Sequence, residues 1–150
     1  MKINSKDIVL VSIQFVLFIL YTIPFGGSLE FFSWFKTIGL ITSIVGFVIL
    51  VLALLQLNKN LSPFPTPKNN AVLIQNGLYA WVRHPIYTGL LLLFFGYSIY
   101  QASLFKLFIT FLLWVLFHFK TKYEELQLQR KFPDYTTYKK NKGRFFPKFI

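Results

Sequence analysis

The stretch IGLITSIVGFVILVLALLQL, residues 38–57, runs for twenty positions without a charged side chain. A helix of that length rises about 30 Å, the thickness of the hydrocarbon core of a bilayer. It reads as a transmembrane helix, and it sets the frame for the rest of the chain. Three further apolar stretches flank it, at residues 8–25, 86–100 and 104–119. The first follows Lys2 and Lys6 as a signal peptide would. At about 18 residues it is longer than a signal core, and no A-x-A-like site follows, so it is expected to be a retained span. The last two are short and are separated by Gln101-Ala102-Ser103. Ile86 to Phe119 is 34 residues, about 51 Å as one helix and too long for a single crossing, so a tight helical hairpin is expected. Lys106, one turn into its second arm, can snorkel to the surface. The expected fold is therefore an all-α integral membrane protein, a single membrane-embedded domain over residues 1–150 with about four transmembrane helices.

Charge gives the orientation. Sixteen Lys and Arg face five acids, a formal net charge of +11. The loop at residues 26–37 holds one Lys and one Glu, and the connection at 101–103 holds neither. The segment 58–85 holds Lys59, Lys68 and Arg83, and residues 120–150 hold nine Lys and Arg against three acids. By the positive-inside rule the N-terminus, the middle loop and the tail lie in the cytoplasm, with Phe31, Phe32 and Trp34 at the outer interface. The membrane is expected to be the cytoplasmic (inner) one. No nucleic-acid motif accompanies the positive charge, and anionic lipid headgroups are its natural counterion. The absence of cysteine excludes disulfides, thiol catalysis and Cys-based zinc sites, and no metal site is expected.

The two cytoplasmic segments carry the residues able to do chemistry. Ser62-Pro63-Phe64-Pro65-Thr66-Pro67 cannot be helical, and Asn76-Gly77 marks a turn. Next come Arg83-His84-Pro85-Ile86-Tyr87-Thr88-Gly89. Pro85 suits a first helical position, which puts His84 at the head of a helix. Free N–H groups and the positive dipole end there favour an anion. Taken singly these residues are an ordinary interfacial helix start: Arg for orientation, Tyr for the aromatic belt, Gly for packing. Past the fourth span, Lys120 and Glu124 are four residues apart on one helical face, while Glu125 points about 100° away. The plain reading is an exposed amphipathic helix with an ion pair. The functional one needs a buried carboxylate near the membrane surface. His118, two residues before Lys120, falls on a different face. The helix is expected to continue to about Lys131 and to break at Phe132-Pro133-Asp134, ahead of an aromatic, basic tail.

The order Arg83-His84-Pro85-x-Tyr87-x-Gly89, a hydrophobic hairpin, Glu124-Glu125 followed by Leu126 and Leu128, then Phe132-Pro133-x-Tyr135-x-x-Tyr138, resembles the isoprenylcysteine carboxyl methyltransferase family, which is related to the membrane phospholipid methyltransferases. The alternating prolines upstream and the closing Arg144-Phe-Phe-Pro147 are similar to it as well. The resemblance implies a helical membrane enzyme that binds S-adenosylmethionine in a pocket formed by the cytoplasmic loop and the helical C-terminal tail. It implies cofactor contacts from residues 71–74 (Val72, Leu73 and Ile74 among them), Tyr79, His84, Pro85, Tyr87 and Glu124. Arg83 and Lys120 would hold the substrate, and His84 and Lys120 would be catalytic. Eukaryotic members carry at the Lys120 position an Arg that handles the substrate carboxylate; Lys is a point charge rather than a fork.

The chemistry fits these residue types. Methyl transfer from a sulfonium is an in-line displacement governed by positioning, and carboxylates and aromatic faces stabilise cations. A carboxylate acceptor needs no base, whereas an amine or thiol acceptor needs one, and His84 is the candidate. The expected partners are membrane lipids and a lipophilic or lipidated acceptor, not nucleic acid. Two other readings stand beside this one: a nicotinamide-dependent membrane lipid reductase of related architecture, and a small non-catalytic membrane or lipid-binding protein.

Overall fold

The computed structural model describes residues 3–26, 30 and 32–148; Lys2 and Phe31 lie outside the described residues. Among the described residues five α-helices follow one another: α1 Ser5–Thr22, α2 Ser33–Leu57, α3 Pro85–Tyr100, α4 Leu104–Lys131 and α5 Tyr135–Asn141. Single 3-10 turns lie at Asn58–Asn60 and Gly77–Ala80. Among the described residues there is no strand, only one isolated parallel bridge between Val82 and Gly143. Helices α1, α2 and α4 are long and apolar enough to cross a membrane, and α3 is a shorter apolar helix.

The first helix starts and stops three residues earlier than the apolar stretch 8–25 indicates. Asn4 and Asp7 form a capping box at its start, which satisfies N–H groups that an apolar start would leave open. Pro24 supplies no N–H to continue it. α2 begins at Ser33 rather than Ile38, because the stretch Trp34-Phe35-Lys36-Thr37 is helical too. α3 opens with His84 as N-cap and Pro85 as its first residue. Gln101-Ala102-Ser103 turns the chain into α4, whose N-cap Ser103 accepts from the Lys106 amide. α4 runs unbroken to Lys131 and ends before Pro133.

α3 packs most closely on α2. Gly39 and Gly46 on α2 meet Gly96 and Gly89 on α3, and a Cβ on Gly39 would lie 2.7 Å from the Gly96 carbonyl oxygen. Small residues let two backbones approach this far where lipid provides no hydrophobic drive. Ser43 crosses the same interface to donate to the Leu93 carbonyl at 3.1 Å. α1 and α4 share a core cluster, with Leu17 and Tyr21 against Ile109, Leu113 and Phe117. The Tyr21 hydroxyl donates to the Phe94 carbonyl at 2.6 Å. Outward-facing side chains are as apolar as the interior: Ile19, Leu55 and Phe111 are all more than half exposed. Such a surface is costly in water and is the natural one against lipid.

Candidate active site

Where the apolar helices give way to the basic segments, the loop at 58–84, the last turns of α4 and the tail enclose a cavity of about 450 Å³. This is within the range of about 300–1,000 Å³ typical of small-molecule and cofactor sites. Its apolar side comes from Leu50 and Leu54 of α2 and Ile86 and Leu90 of α3. The opposite side is polar.

Helix α3 supplies two of the polar groups. Its N-cap is His84, buried and with extended-side φ, and one turn later Tyr87 donates to Glu124 Oε2 at 3.1 Å. His84 Nδ1 lies 4.0 Å from the same carboxylate oxygen. Glu124 sits in the last turns of α4, beyond the apolar part that ends at Phe119. Burial pushes its carboxyl above the usual carboxylate range, with His84, Lys120 and the Tyr87 hydroxyl pulling it back. Lys120, a turn earlier, donates to Gln14 Oε1 at 2.5 Å and to the Pro63 carbonyl at 3.0 Å, and its ammonium lies 5.5 Å from the centre of the Tyr87 ring. The tail closes the far wall. Tyr138 donates to the Tyr79 carbonyl at 2.6 Å. Burial pushes the Tyr138 hydroxyl up to about 12 against the lowering pull of the Arg83 charge, and burial and the Glu124 charge push the Tyr79 hydroxyl higher still, so both stay protonated donors.

Of the residues singled out by sequence, Val72, Leu73, Ile74, Tyr79, Arg83, His84, Tyr87, Lys120 and Glu124 all line this cavity. Pro85 is buried at the start of α3 and stands behind the wall rather than in it. His118 is outside the cavity, its Nδ1 3.3 Å from an Arg144 nitrogen. The plain reading, an exposed helix with an ion pair, does not hold. Among the described residues no ion pair joins Lys120 to Glu124, because Gln14 and the Pro63 carbonyl, from other segments, take the ammonium. Glu125 does not turn outward to solvent: it is fully buried, surrounded by cations that the tail brings back to it.

Sequence reasoning passed over two residues of α1. Gln14 lines the cavity, and Asp7, fully buried, accepts from the Thr66 hydroxyl at 2.7 Å and the Thr66 amide at 3.2 Å. Together with Lys120 on Pro63, they pin the proline-rich loop as a roof. The available signal was polarity in or beside an apolar span, which is functional by default.

The family model of the phospholipid methyltransferases matches residues 34–135. The chain belongs to the phospholipid methyltransferase family. Within this chain, α1 and most of the tail lie outside the matched range, yet both contribute to the cavity. Among solved structures, it is similar to the eukaryotic intramembrane Ras methyltransferase ICMT (isoprenylcysteine carboxyl methyltransferase), at 27% identity and a TM-score of 0.72. That likeness covers 98% of this chain and 54% of the ICMT chain, so the chain spans about half the length of that relative. No curated protein matches the chain in sequence.

Proposed function

We propose that this membrane methyltransferase takes its methyl group from S-adenosylmethionine and delivers it to a lipophilic acceptor at the cytoplasmic face. The observation that carries the reading is the cavity itself: one wall of leucine and isoleucine continuous with the membrane helices, the other of His84, Tyr87, Glu124 and Arg83. The donor set fits the cofactor. Glu124 has acceptor capacity left after its one bond from Tyr87, which suits an ammonium or sulfonium, and the Tyr79 and Tyr87 rings offer faces to a cation. When bound, the cofactor supplies an electrophilic methyl on sulfur. Glu124 and Tyr87 hold its cationic part, and the roof loop and tail exclude water. Lys120 offers charge to an anionic group of the acceptor. His84 Nδ1 faces the cavity and can take a proton where the acceptor atom carries one.

The proposed topology is four spans within one membrane-embedded domain, both termini cytoplasmic, in the cytoplasmic membrane. Cysteines introduced singly at Glu30 and Lys142 test it: from outside intact cells an impermeant reagent should label the first and not the second. The function is tested by incubating the purified protein and a native lipid extract with methyl-labelled S-adenosylmethionine. Saturable cofactor binding and a labelled extractable lipid are expected. No binding at millimolar cofactor overturns the reading.

A further inference from the structure

Glu125 is fully buried, and three cationic side chains and the His84 ring, from three segments, converge on its carboxylate. Oε1 is 3.0 Å from Arg83 and 3.2 Å from His84 Nε2, both at the head of α3, and 3.6 Å from Arg144 Nε in the tail. Oε2 is 3.0 Å from Lys139 Nζ, on α5. Around this centre the backbone is stitched as well. The Arg83 amide donates to the Gly143 carbonyl at 2.9 Å, the His84 amide to that of Arg144 at 3.1 Å, and the Arg83 guanidinium to the Lys139 carbonyl at 2.8 Å.

We propose that Glu125 is the positioning residue of the site: it turns His84 so that Nδ1 faces the cavity, and it latches the tail that forms the cavity's far wall. The inference rests on the cofactor-binding reading above, and it adds a role for a carboxylate that touches neither cofactor nor acceptor. The geometry carries both halves. Because Nε2 is held at Glu125, the other ring nitrogen is turned toward Glu124 and the cavity. A base oriented from behind by a carboxylate is a recurring arrangement for proton transfer. Because Lys139 and Arg144 share that carboxylate with Arg83, the tail cannot lift without separating charges in a water-poor pocket. Lifting it removes Tyr138 from the wall, so tail opening is the step that admits and releases the cofactor.

The test uses the full chain in detergent. Amide hydrogen exchange is read over residues 138–146 without cofactor, and the rate of S-adenosylmethionine release is read separately. In Glu125→Gln the shape remains and the charge is lost; tail exchange is expected to rise about 10- to 150-fold, the equivalent of one charge-assisted hydrogen bond. Exchange in α1 and α2 should not change, and cofactor release should quicken by a similar factor. Glu125→Asp keeps the charge and should recover slow exchange, and Glu124→Gln should leave the tail at the wild-type rate. Unchanged tail exchange in Glu125→Gln, an equal rise in every helix, or no recovery in Glu125→Asp overturns the proposal. If Glu125→Gln does not fold, the double variant Lys139→Gln, Arg144→Gln leaves Glu125 paired with Arg83 and His84; closed tails there overturn it equally. A wild-type chain that binds no S-adenosylmethionine overturns the functional reading alone, since the latch is measured without cofactor.

Discussion

Glu124 and Glu125 are chain neighbours on one helix, and they live in opposite environments. Glu124 faces an open cavity with one hydroxyl bonded to it and a histidine nearby. Glu125 faces the tail, encased, with Arg83, Lys139, Arg144 and the His84 ring around its two oxygens. Burial drives the Glu124 carboxyl up. Burial pushes Glu125 up too, but the bond from His84, the Lys139 ammonium and the Arg83 charge overcome it and hold it at about 2. One carboxylate is left facing the cavity with a single bond, and the other is engaged by the surrounding fold through both oxygens. The lesson is that residue type and position near a membrane nominate a carboxylate, while the number of partners already engaged decides between binding and holding.

The comparison breaks most visibly on stability. Glu125→Ala leaves Arg83, Lys139 and Arg144 without their common anion, and losing one side of a buried pair costs about 3–5 kcal/mol. Chemical denaturation in detergent should show that loss, and Glu124→Ala should show less than half of it. Equal losses would mean that both carboxylates are structural.

The ranking reverses for ligand binding. Glu124→Gln removes a charged acceptor at the cavity wall, at about 1.5–3 kcal/mol, or roughly 10- to 150-fold in S-adenosylmethionine affinity. Calorimetric titration of folded protein measures it. Wild-type affinity would remove Glu124 from the cofactor's contacts.

Tyr87→Phe sharpens the same side. It removes the neutral donor that orients Glu124 and keeps the ring, so a loss of about 0.5–1.5 kcal/mol in cofactor binding is expected, with the tail still protected from exchange.

The smallest effect is set by pH. Glu124 has its pKa raised in the fold, so its charge begins to be lost on acidification before that of an ordinary carboxyl. Glu125 has its pKa depressed, so its contribution is complete above the ordinary value of 4.5 and is lost only as pH falls toward about 2. Mild acidification should therefore weaken cofactor binding while tail exchange stays slow. A tail that opens in step with the loss of binding would contradict the division of roles.

Much of this was legible in the chain. Length and apolarity are local properties, so the membrane helices, the turn at 101–103 and the break at Phe132-Pro133 could be read directly, within a few residues at their ends. The cavity-lining role of His84, Tyr87 and Glu124 came from a resemblance in order and spacing. Gln14 could not be found that way: its partner Lys120 is 106 positions distant, and in isolation it is one polar residue in an apolar span. Asp7 was legible as a helix cap and no more; its bonds to Thr66 reach 59 positions along the chain.

The sequence by itself determined that this protein lives in a bilayer, because a run of twenty uncharged residues has no cheaper solvent, and which end carries the charge. Tertiary structure alone decided which of two adjacent acids faces the cavity and which is enclosed by the tail. A helix fixes the angle between neighbouring side chains, about 100°, but not what lies in either direction. For Glu125 that was settled by a tail that turns at Pro133 and returns with Lys139 and Arg144, whose charges make burial of a carboxylate favourable where solvent would otherwise have been its place.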